Sequence, residues 1–304
     1  MTDHRMSGVL SPVVTPFTED LAPDAERLIG QCRWLLSQNV GLAIFGTNSE
    51  ANSLSVEEKI DLMDALVAAN VEPGRMMPGT GCCALTDTVR LTAHAAKIGC
   101  GGTLMLPPFY YKGVSDDGLY ASYSEVIQRV GNDALRIYLY HIPPVAQVGL
   151  SIDLIERLVS DYPDTVVGIK DSSGDWTNTR AMLDRQWDDF RVFVGSESFL
   201  LANMQNGGAG CISATANVNP AAIDQLCQTW EDEDANAQQQ ALDRVRDTVM
   251  AYPMIPALKA TVAEFSGDDA WRRVRPPLIA LDRAPSRKLA DELRGIGFKM
   301  PGLG

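Results

Sequence analysis

Short apolar segments alternate with segments of helical periodicity over the first two thirds of the chain. Several apolar segments are continuous rather than alternating, as parallel strands are when helices cover both faces of their sheet. Eight strand-then-helix units predict an α/β fold, a (β/α)8 TIM barrel in preference to an open doubly wound sheet. The predicted strands span residues 8–14, 42–46, 75–79, 102–106, 136–141, 165–170, 191–195 and 209–213.

Helix signals stand between these predicted strands. Residues 24–39 place apolar side chains on one face, and Ser55 with Glu58 forms a capping box ahead of the next apolar stripe. Further N-cap candidates are Ser115, Ser151 and Asn219, the last followed by Pro220 at the first helical position.

The character of the chain changes near residue 219, after which strand-like segments stop. We therefore expect two regions. Residues 1–219 would form the barrel with its catalytic site, and residues 220–304 a C-terminal helical extension packed on the barrel. The acidic and glutamine-rich stretch 231–240 indicates a solvated helix face or a turn.

Charge and hydropathy limit the partners. Lys and Arg number 26 against 39 Asp and Glu, a net charge of −13, which argues against nucleic acid and anionic membrane surfaces. No segment approaches the roughly 18 apolar residues of a membrane-spanning helix, and no apolar signal core follows Met1. We expect a cytoplasmic protein.

Motifs for metals and nucleotides are missing from the sequence. The six cysteines form no Cys-x-x-Cys pair and only three histidines accompany them, so we expect reduced, mostly buried thiols and no metal site. The chain lacks a Gly-x-Gly-x-x-Gly after the first strand and a phosphate loop, which argues against dinucleotide and nucleotide triphosphate chemistry.

Candidate chemistry lies at the carboxyl ends of the predicted strands, where barrels carry their active sites. Lys170 closes an apolar strand, where it either reaches solvent or supplies a partly dry amine for Schiff-base chemistry. The preceding strand carries Tyr138 and Tyr140 on one face, and a phenol beside an imine can transfer protons. His141 should point to the other face as a hydrogen-bonded structural residue.

A polar turn leaves the second predicted strand at residues 45–50. Its hydroxyls and backbone N–H groups can bind a carboxylate, and an acidic protein must provide such an anion site locally. An ordinary turn stabilised by Asn48 and Ser49 is the simpler interpretation.

Together, the motifs of this chain resemble the dihydrodipicolinate synthase / N-acetylneuraminate lyase family over about residues 8–220. They occur in the family's order along the chain, and the set is specific although single pieces are not. The motifs are Ser11–Phe17, the Gly-Thr-x-x-Glu turn at 46–50, Pro-Phe-Tyr-Tyr at 108–111, Tyr-x-Ile-Pro at 140–143, Gly-Ile-Lys-Asp-Ser-Ser-Gly at 168–174 and the glycine-rich segment 207–213 leading into Thr-Ala-Asn at 215–217.

The resemblance implies a barrel that forms a lysine Schiff base with pyruvate or another 2-oxo acid, without metal or organic cofactor. Lys170 would form the imine and Tyr140 would transfer protons. Thr47 would connect Tyr140 to a second tyrosine from a neighbouring subunit, with Tyr110 a better fit than Tyr111. A homotetramer built as a dimer of dimers, or a homodimer, is implied.

Substrate contacts are also implied by position. Thr47 and Asn48 would bind the carboxylate of the 2-oxo acid. Residues after the later strands would contact the rest of the substrate, and we predict Ser172, Gly195, Glu197 and Ile212 for this role, with Ser173, Ser196, Ser198 and Ala214 nearby.

The chain departs from the synthase branch at Val145, where that branch has an arginine for the carboxylate of the second substrate. A valine cannot make a bidentate carboxylate contact. The turn also has Asn48 and Ser49 where Thr or Ser and then Gly are usual in the family.

We therefore predict a Schiff-base lyase or aldolase acting on pyruvate or a related 2-oxo acid, including cleavage of 2-keto-3-deoxy sugar acids. The alternatives are the dihydrodipicolinate (4-hydroxy-tetrahydrodipicolinate) synthase of lysine biosynthesis, a non-catalytic metabolite-binding relative, and a metal-dependent barrel enzyme. The scarcity of histidine and of clustered carboxylates argues against the last.

Overall fold

Strands and helices alternate along the chain in the computed structural model, which describes residues 5–303. Within this part of the chain the strands are β1 (Gly8–Ser11), β2 (Gly41–Leu42), β3 (Thr103–Met105), β4 (Ile137–His141), β5 (Val166–Asp171), β6 (Arg191–Val194) and β7 (Gly210–Ile212). All of their pairings given below are parallel, as the continuous apolar segments predicted.

The helices begin largely where the sequence predicts. They are α1 (Ala25–Ser37), α2 (Val56–Ala68), α3 (Leu85–Lys97), α4 (Asp116–Val130), α5 (Pro143–Ala146), α6 (Ile152–Asp161), α7 (Trp176–Leu183), α8 (Leu200–Gln205), α9 (Pro220–Gln228), α10 (Ala235–Met250), α11 (Met254–Ser266) and α12 (Arg283–Gly295). The capping box of Ser55 and Glu58 is formed in both directions, and the Ser115 and Ser151 side chains cap α4 and α6. Each such cap contributes about 1 kcal/mol. Asn219 occupies the N-cap position of α9 without a side-chain bond.

One predicted strand is wrong. Residues 75–79 form only a single parallel bridge, Gly79 with Leu104, preceded by a 3₁₀ turn at Pro73–Arg75. Leu104 donates its N–H to the Pro78 carbonyl, but Pro78 has no N–H to continue a ladder. Seven strands, rather than the predicted eight, are therefore found in residues 5–303.

The described chain divides into two compact units. The first comprises residues 5–7 and 72–211, and the second residues 8–71 and 212–303. The predicted boundary at residue 219 divides the chain by secondary structure instead, and it stays a prediction.

In the first unit, β3, β4, β5, β6 and the first residues of β7 pair in sequence order. Their outer faces are covered by helices α4, α6 and α7, and the apolar core between them includes Tyr123, Leu139, Leu154 and Ile169, all at most 2% exposed. Burial at about 25 cal/mol per Å² of apolar surface makes this core the main stabilising contribution of the unit.

In the second unit, β1 pairs with β2, with Leu10 opposite Gly41 and Ser11 opposite Leu42. Helix α9 packs on β1, and α10, α11 and α12 pack on one another. Residues 229–234 form a turn, and helix α10 begins at Ala235. The acidic stretch 231–240 therefore includes both the turn and the helix that the sequence indicated. In residues 5–303 no helix has the length and hydropathy needed to cross a bilayer.

Candidate active site

Lys170 and Tyr140 meet in the first unit. The parallel register of β4 and β5 places them directly side by side, and Lys170 Nζ donates a hydrogen bond to Tyr140 Oη at 3.2 Å. The same nitrogen is 4.3 Å from the centroid of the tyrosine ring, and both side chains are only 3% exposed. The interpretation of Lys170 as a solvent-facing strand end is therefore wrong. An amine and a phenol in contact have the geometry needed for imine chemistry with proton transfer.

Tyr138 points to the same face as Tyr140 but is used by the fold. Its hydroxyl accepts the Met6 N–H at 2.6 Å, and its ring packs edge-on against Phe193 with centroids 5.9 Å apart. A Cβ at Gly168 would come within 2.6 Å of this ring, so the glycine of the Gly-Ile-Lys motif leaves room for Tyr138. Of the two predicted tyrosines, the structure brings Tyr140 to the lysine.

Asp171 fixes the turn that follows the lysine. Its buried carboxylate accepts hydrogen bonds from Thr179 Oγ1 at 2.7 Å, Asn178 Nδ2 at 3.0 Å and the Ser173 N–H at 2.9 Å. The turn is thereby tied to helix α7. Sequence reasoning assigned no role to Asp171, although a carboxylate at the end of an otherwise apolar strand is a signal that it is paired.

His141 is buried and hydrogen-bonded, as the sequence predicts. Its Nδ1 accepts the Leu150 N–H at 3.0 Å, so the imidazole is held with this nitrogen unprotonated. Burial lowers the pKa of His141, and the negative charge of Asp171 opposes that effect. The neutral form is the one that the folded chain favours.

This burial predicts a pH-dependent stability. The pKa of His141 is lower in the folded chain than in the unfolded chain, where it is about 6.5. The contribution of neutral His141 to the free energy of unfolding should therefore be fully present above that pH. It should fall as the pH decreases through the folded pKa. Urea unfolding between pH 8 and pH 5 should show this loss.

A His141→Asn variant, whose amide oxygen can still accept the Leu150 N–H, should flatten that slope. His94→Asn, a change on helix α3, is the control and should keep it. An unchanged slope in His141→Asn would contradict the assignment.

Ser172, Gly195 and Glu197 follow β5 and β6. Ser172 donates its N–H to the His141 carbonyl and Gly195 donates to the Asp171 carbonyl, each at 2.7 Å. A Cβ at Gly195 would overlap the Ser172 hydroxyl, so these two predicted residues are in contact. Glu197 is 1% exposed at the start of a 3₁₀ turn.

The structure does not bring the ring of Tyr110 into contact with Lys170 or Tyr140. It is 73% exposed and packs edge-on against the equally exposed Tyr111, with centroids 5.4 Å apart. Lys112 Nζ donates to the Phe109 carbonyl and, at 2.7 Å, to the Ala146 carbonyl, which ties this segment to α5. The tyrosine pair is thus presented outward on an anchored loop.

Thr47 and Asn48 belong to the second unit, in a 3₁₀ turn from Thr47 to Ser49. Ser49 Oγ accepts the Gly46 N–H at 3.1 Å, and Thr15 Oγ1 donates to the Ser49 carbonyl at 2.7 Å. The remaining predicted residue, Ile212, is fully buried in this unit. In the part of the chain that the structure describes, no group of three or more His, Cys, Asp or Glu side chains is placed to hold a metal ion.

Known proteins match this chain over most of its length. The model of the Dihydrodipicolinate synthetase family matches residues 5–295. An uncharacterized DapA-like lyase of Chloroflexus aurantiacus is 34% identical over 277 residues, which cover 90% of this chain and 91% of that protein.

Solved structures agree with this match. The crystal structure of dihydrodipicolinate synthase from Agrobacterium tumefaciens has a TM-score of 0.88 at 30% identity, covering 95% of this chain and 99% of that one. A prophage protein of the same family from E. coli K12, solved in complex with pyruvate, has a TM-score of 0.87 at 25% identity, covering 96% and 99%.

The chain belongs to the dihydrodipicolinate synthetase family. The predicted resemblance and the predicted class of enzyme, a lyase of the aldolase kind, are confirmed. The likeness to family structures over almost the whole chain also confirms the α/β barrel fold class with its C-terminal helices.

Proposed function

We propose that this protein forms a Schiff base between Lys170 and pyruvate or a related 2-oxo acid, and that it makes or breaks a carbon–carbon or carbon–oxygen bond through that imine. The observation that supports the proposal is the buried contact of Lys170 Nζ with Tyr140 Oη at 3.2 Å. The family member solved with pyruvate supports a 2-oxo acid substrate.

The proposed reaction begins with attack of the neutral Lys170 amine on the C2 carbonyl carbon. A proton moves from the nitrogen to the oxygen through Tyr140, and water then leaves to give the imine. In an aldol cleavage, the bond between C3 and C4 breaks and its electron pair moves into an enamine. The C4 hydroxyl passes its proton to Tyr140 as the aldehyde forms, and Tyr140 returns a proton to C3 of the enamine. Protonation of C3 and hydrolysis release pyruvate and regenerate the amine.

The other predicted residues take supporting roles in this proposal. Thr47 and Asn48 bind the carboxylate, and Thr47 connects Tyr140 to the Tyr110 hydroxyl of a neighbouring subunit. Ser172, Gly195, Glu197 and Ile212 contact the rest of the substrate. The exposed, anchored Tyr110 supports a role in a partner's site, because in the single chain its ring meets solvent and Tyr111.

The proposal extends to assembly and setting. We expect a homotetramer built from paired dimers, or a homodimer, working in the cytoplasm. The lysine amine itself carries the covalent chemistry, so the proposed reaction requires no metal or organic cofactor. Residues 220–304 serve as the helical extension, which α9 ties to β1.

Val145 is the residue on which we base the choice between the lyase and synthase branches of the family. It lies in α5 with a side chain that is 60% exposed, where the synthase branch carries a carboxylate-binding arginine. We propose cleavage of a hydroxylated 2-oxo acid, with 2-keto-3-deoxy sugar acids as the favoured class, over condensation of pyruvate with aspartate semialdehyde.

Both reactions should be assayed on one preparation. We expect weak condensation and better sugar-acid cleavage. Val145→Arg should raise kcat/KM for aspartate semialdehyde about 10- to 100-fold, since a charge-assisted hydrogen bond contributes about 1.5–3 kcal/mol and each 1.4 kcal/mol is tenfold. Val145→Met, which adds length without charge, is the matched control.

The opposite pattern would assign the synthase reaction instead. Condensation by the unchanged protein above about 10⁴ M⁻¹s⁻¹, with negligible cleavage of every sugar acid tried, would be ordinary enzyme efficiency for a synthase. Val145 would then not distinguish the lyase branch of the family from the synthase branch.

A further inference from the structure

The turn that carries Thr47 and Asn48 is strained at both ends. Phe45 and Glu50 have φ values of 60° and 56°, in the left-handed region that bulky residues rarely adopt. Backbone of this kind persists only where the surrounding structure fixes it. Something in the second unit must therefore fix the turn.

A buried ion pair fixes its carboxyl end. Glu50 Oε1 accepts a hydrogen bond from Lys259 Nζ at 2.6 Å, and neither side chain is exposed. Glu50 Oε2 accepts the Arg275 N–H at 2.8 Å. Both carboxylate oxygens are thus held, one by helix α11 and the other by the segment that follows it.

Lys259 is itself held in place by an aromatic face. Its Nζ is 4.4 Å from the centroid of the Phe17 ring, and the Arg275 guanidinium carbon is 4.8 Å from the same centroid. Burial lowers the pKa of Lys259 to about 8, while the charge and hydrogen bond of Glu50 act in the opposite direction. Glu50 therefore favours the charged form of Lys259.

A fully buried ion pair is a poor source of net stability, because removing two charges from water offsets most of their attraction. Apolar replacements of both partners are often neutral. The position of this pair, at the strained end of one particular turn, is what calls for a role. That role is to fix geometry.

We infer that Lys259 is a positioning residue for the 2-oxo acid site, acting through Glu50 to hold the turn on which Thr47 and Asn48 stand. The inference rests on the proposed function, since the carboxylate-binding role of the turn belongs to that proposal. Lys259 forms no imine and touches no substrate. It sets where the carboxylate is received.

The test replaces both partners, with Glu50→Gln and Lys259→Met in one variant, so that no buried charge is left alone. Circular dichroism and urea unfolding should show a folded chain. KM for pyruvate should rise about tenfold or more, while kcat changes much less, the pattern of lost binding rather than lost chemistry. Borohydride with saturating pyruvate should still label Lys170.

The matched control removes another ion pair of the same helix. Arg272 Nη2 bonds Glu264 Oε1, with side chains 13% and 16% exposed. A Glu264→Gln and Arg272→Met variant should leave KM for pyruvate close to that of the unchanged protein. An equal rise in both double variants would mean a general loosening of the unit and would overturn the inference.

Three further outcomes are decisive. A folded Glu50→Gln, Lys259→Met variant with unchanged KM would overturn the positioning role. If that variant does not fold, Glu50→Asp keeps both charges but shortens the link by one methylene, and it must raise KM for the inference to stand. Failure of the unchanged protein to trap pyruvate would instead contradict the proposed function, and this arm separates the two.

Discussion

Lys170→Ala is expected to abolish the trapping of pyruvate by borohydride and to lower turnover by more than about 10⁴-fold, because the covalent route is lost with the amine. Lys170 is 3% exposed and its Nζ donates to Tyr140 Oη, so the variant removes the amine that contacts the phenol. Intact mass after reduction measures the trapping directly.

Lys97→Ala is the control, since Lys97 is an exposed residue at the end of α3. That variant should trap pyruvate like the unchanged protein. Trapping that persists in Lys170→Ala, or that maps to Lys97, Lys112 or Lys259, would contradict the assignment of the nucleophile.

Tyr140→Phe is expected to leave the chain folded and to lower kcat by about 10²–10⁴-fold, the usual contribution of general acid–base catalysis. The ring stays in place while the hydroxyl that accepts the Lys170 hydrogen bond is removed. Steady-state kinetics with a cleavable 2-oxo acid measures the effect.

Tyr138→Phe is a closely matched control on the same strand and face. Its hydroxyl accepts the Met6 N–H, so its removal should lower stability by about 1–3 kcal/mol through an unsatisfied donor. Turnover should stay close to normal. Normal turnover in Tyr140→Phe, or an equal loss of turnover in both variants, would remove Tyr140 from the proposed proton path.

The contact of Lys170 with Tyr140 follows from the sequence by simple geometry. Apolar segments mark β4 and β5, and parallel strands end at the same edge of their sheet, so the polar residues that close them become neighbours. The N-terminal caps at Ser55, Ser115 and Ser151 can also be predicted from the sequence, because a cap involves only the next three residues.

Contacts between distant segments could not be predicted in this way. Glu50 and Lys259 are separated by 209 positions, and neither lies in a sequence pattern that predicts their contact. Residues 75–79 have strand-like composition, but Pro78 limits them to one bridge. In our proposal Tyr110 acts in the site of a neighbouring subunit, and the sequence of one chain cannot place it there.

The most direct measurement is borohydride reduction of the unchanged protein with pyruvate, followed by peptide mapping. We expect one reduced pyruvate adduct per chain, located on Lys170 and dependent on both pyruvate and reductant. An unmodified chain, or an adduct on any other lysine, would contradict this expectation.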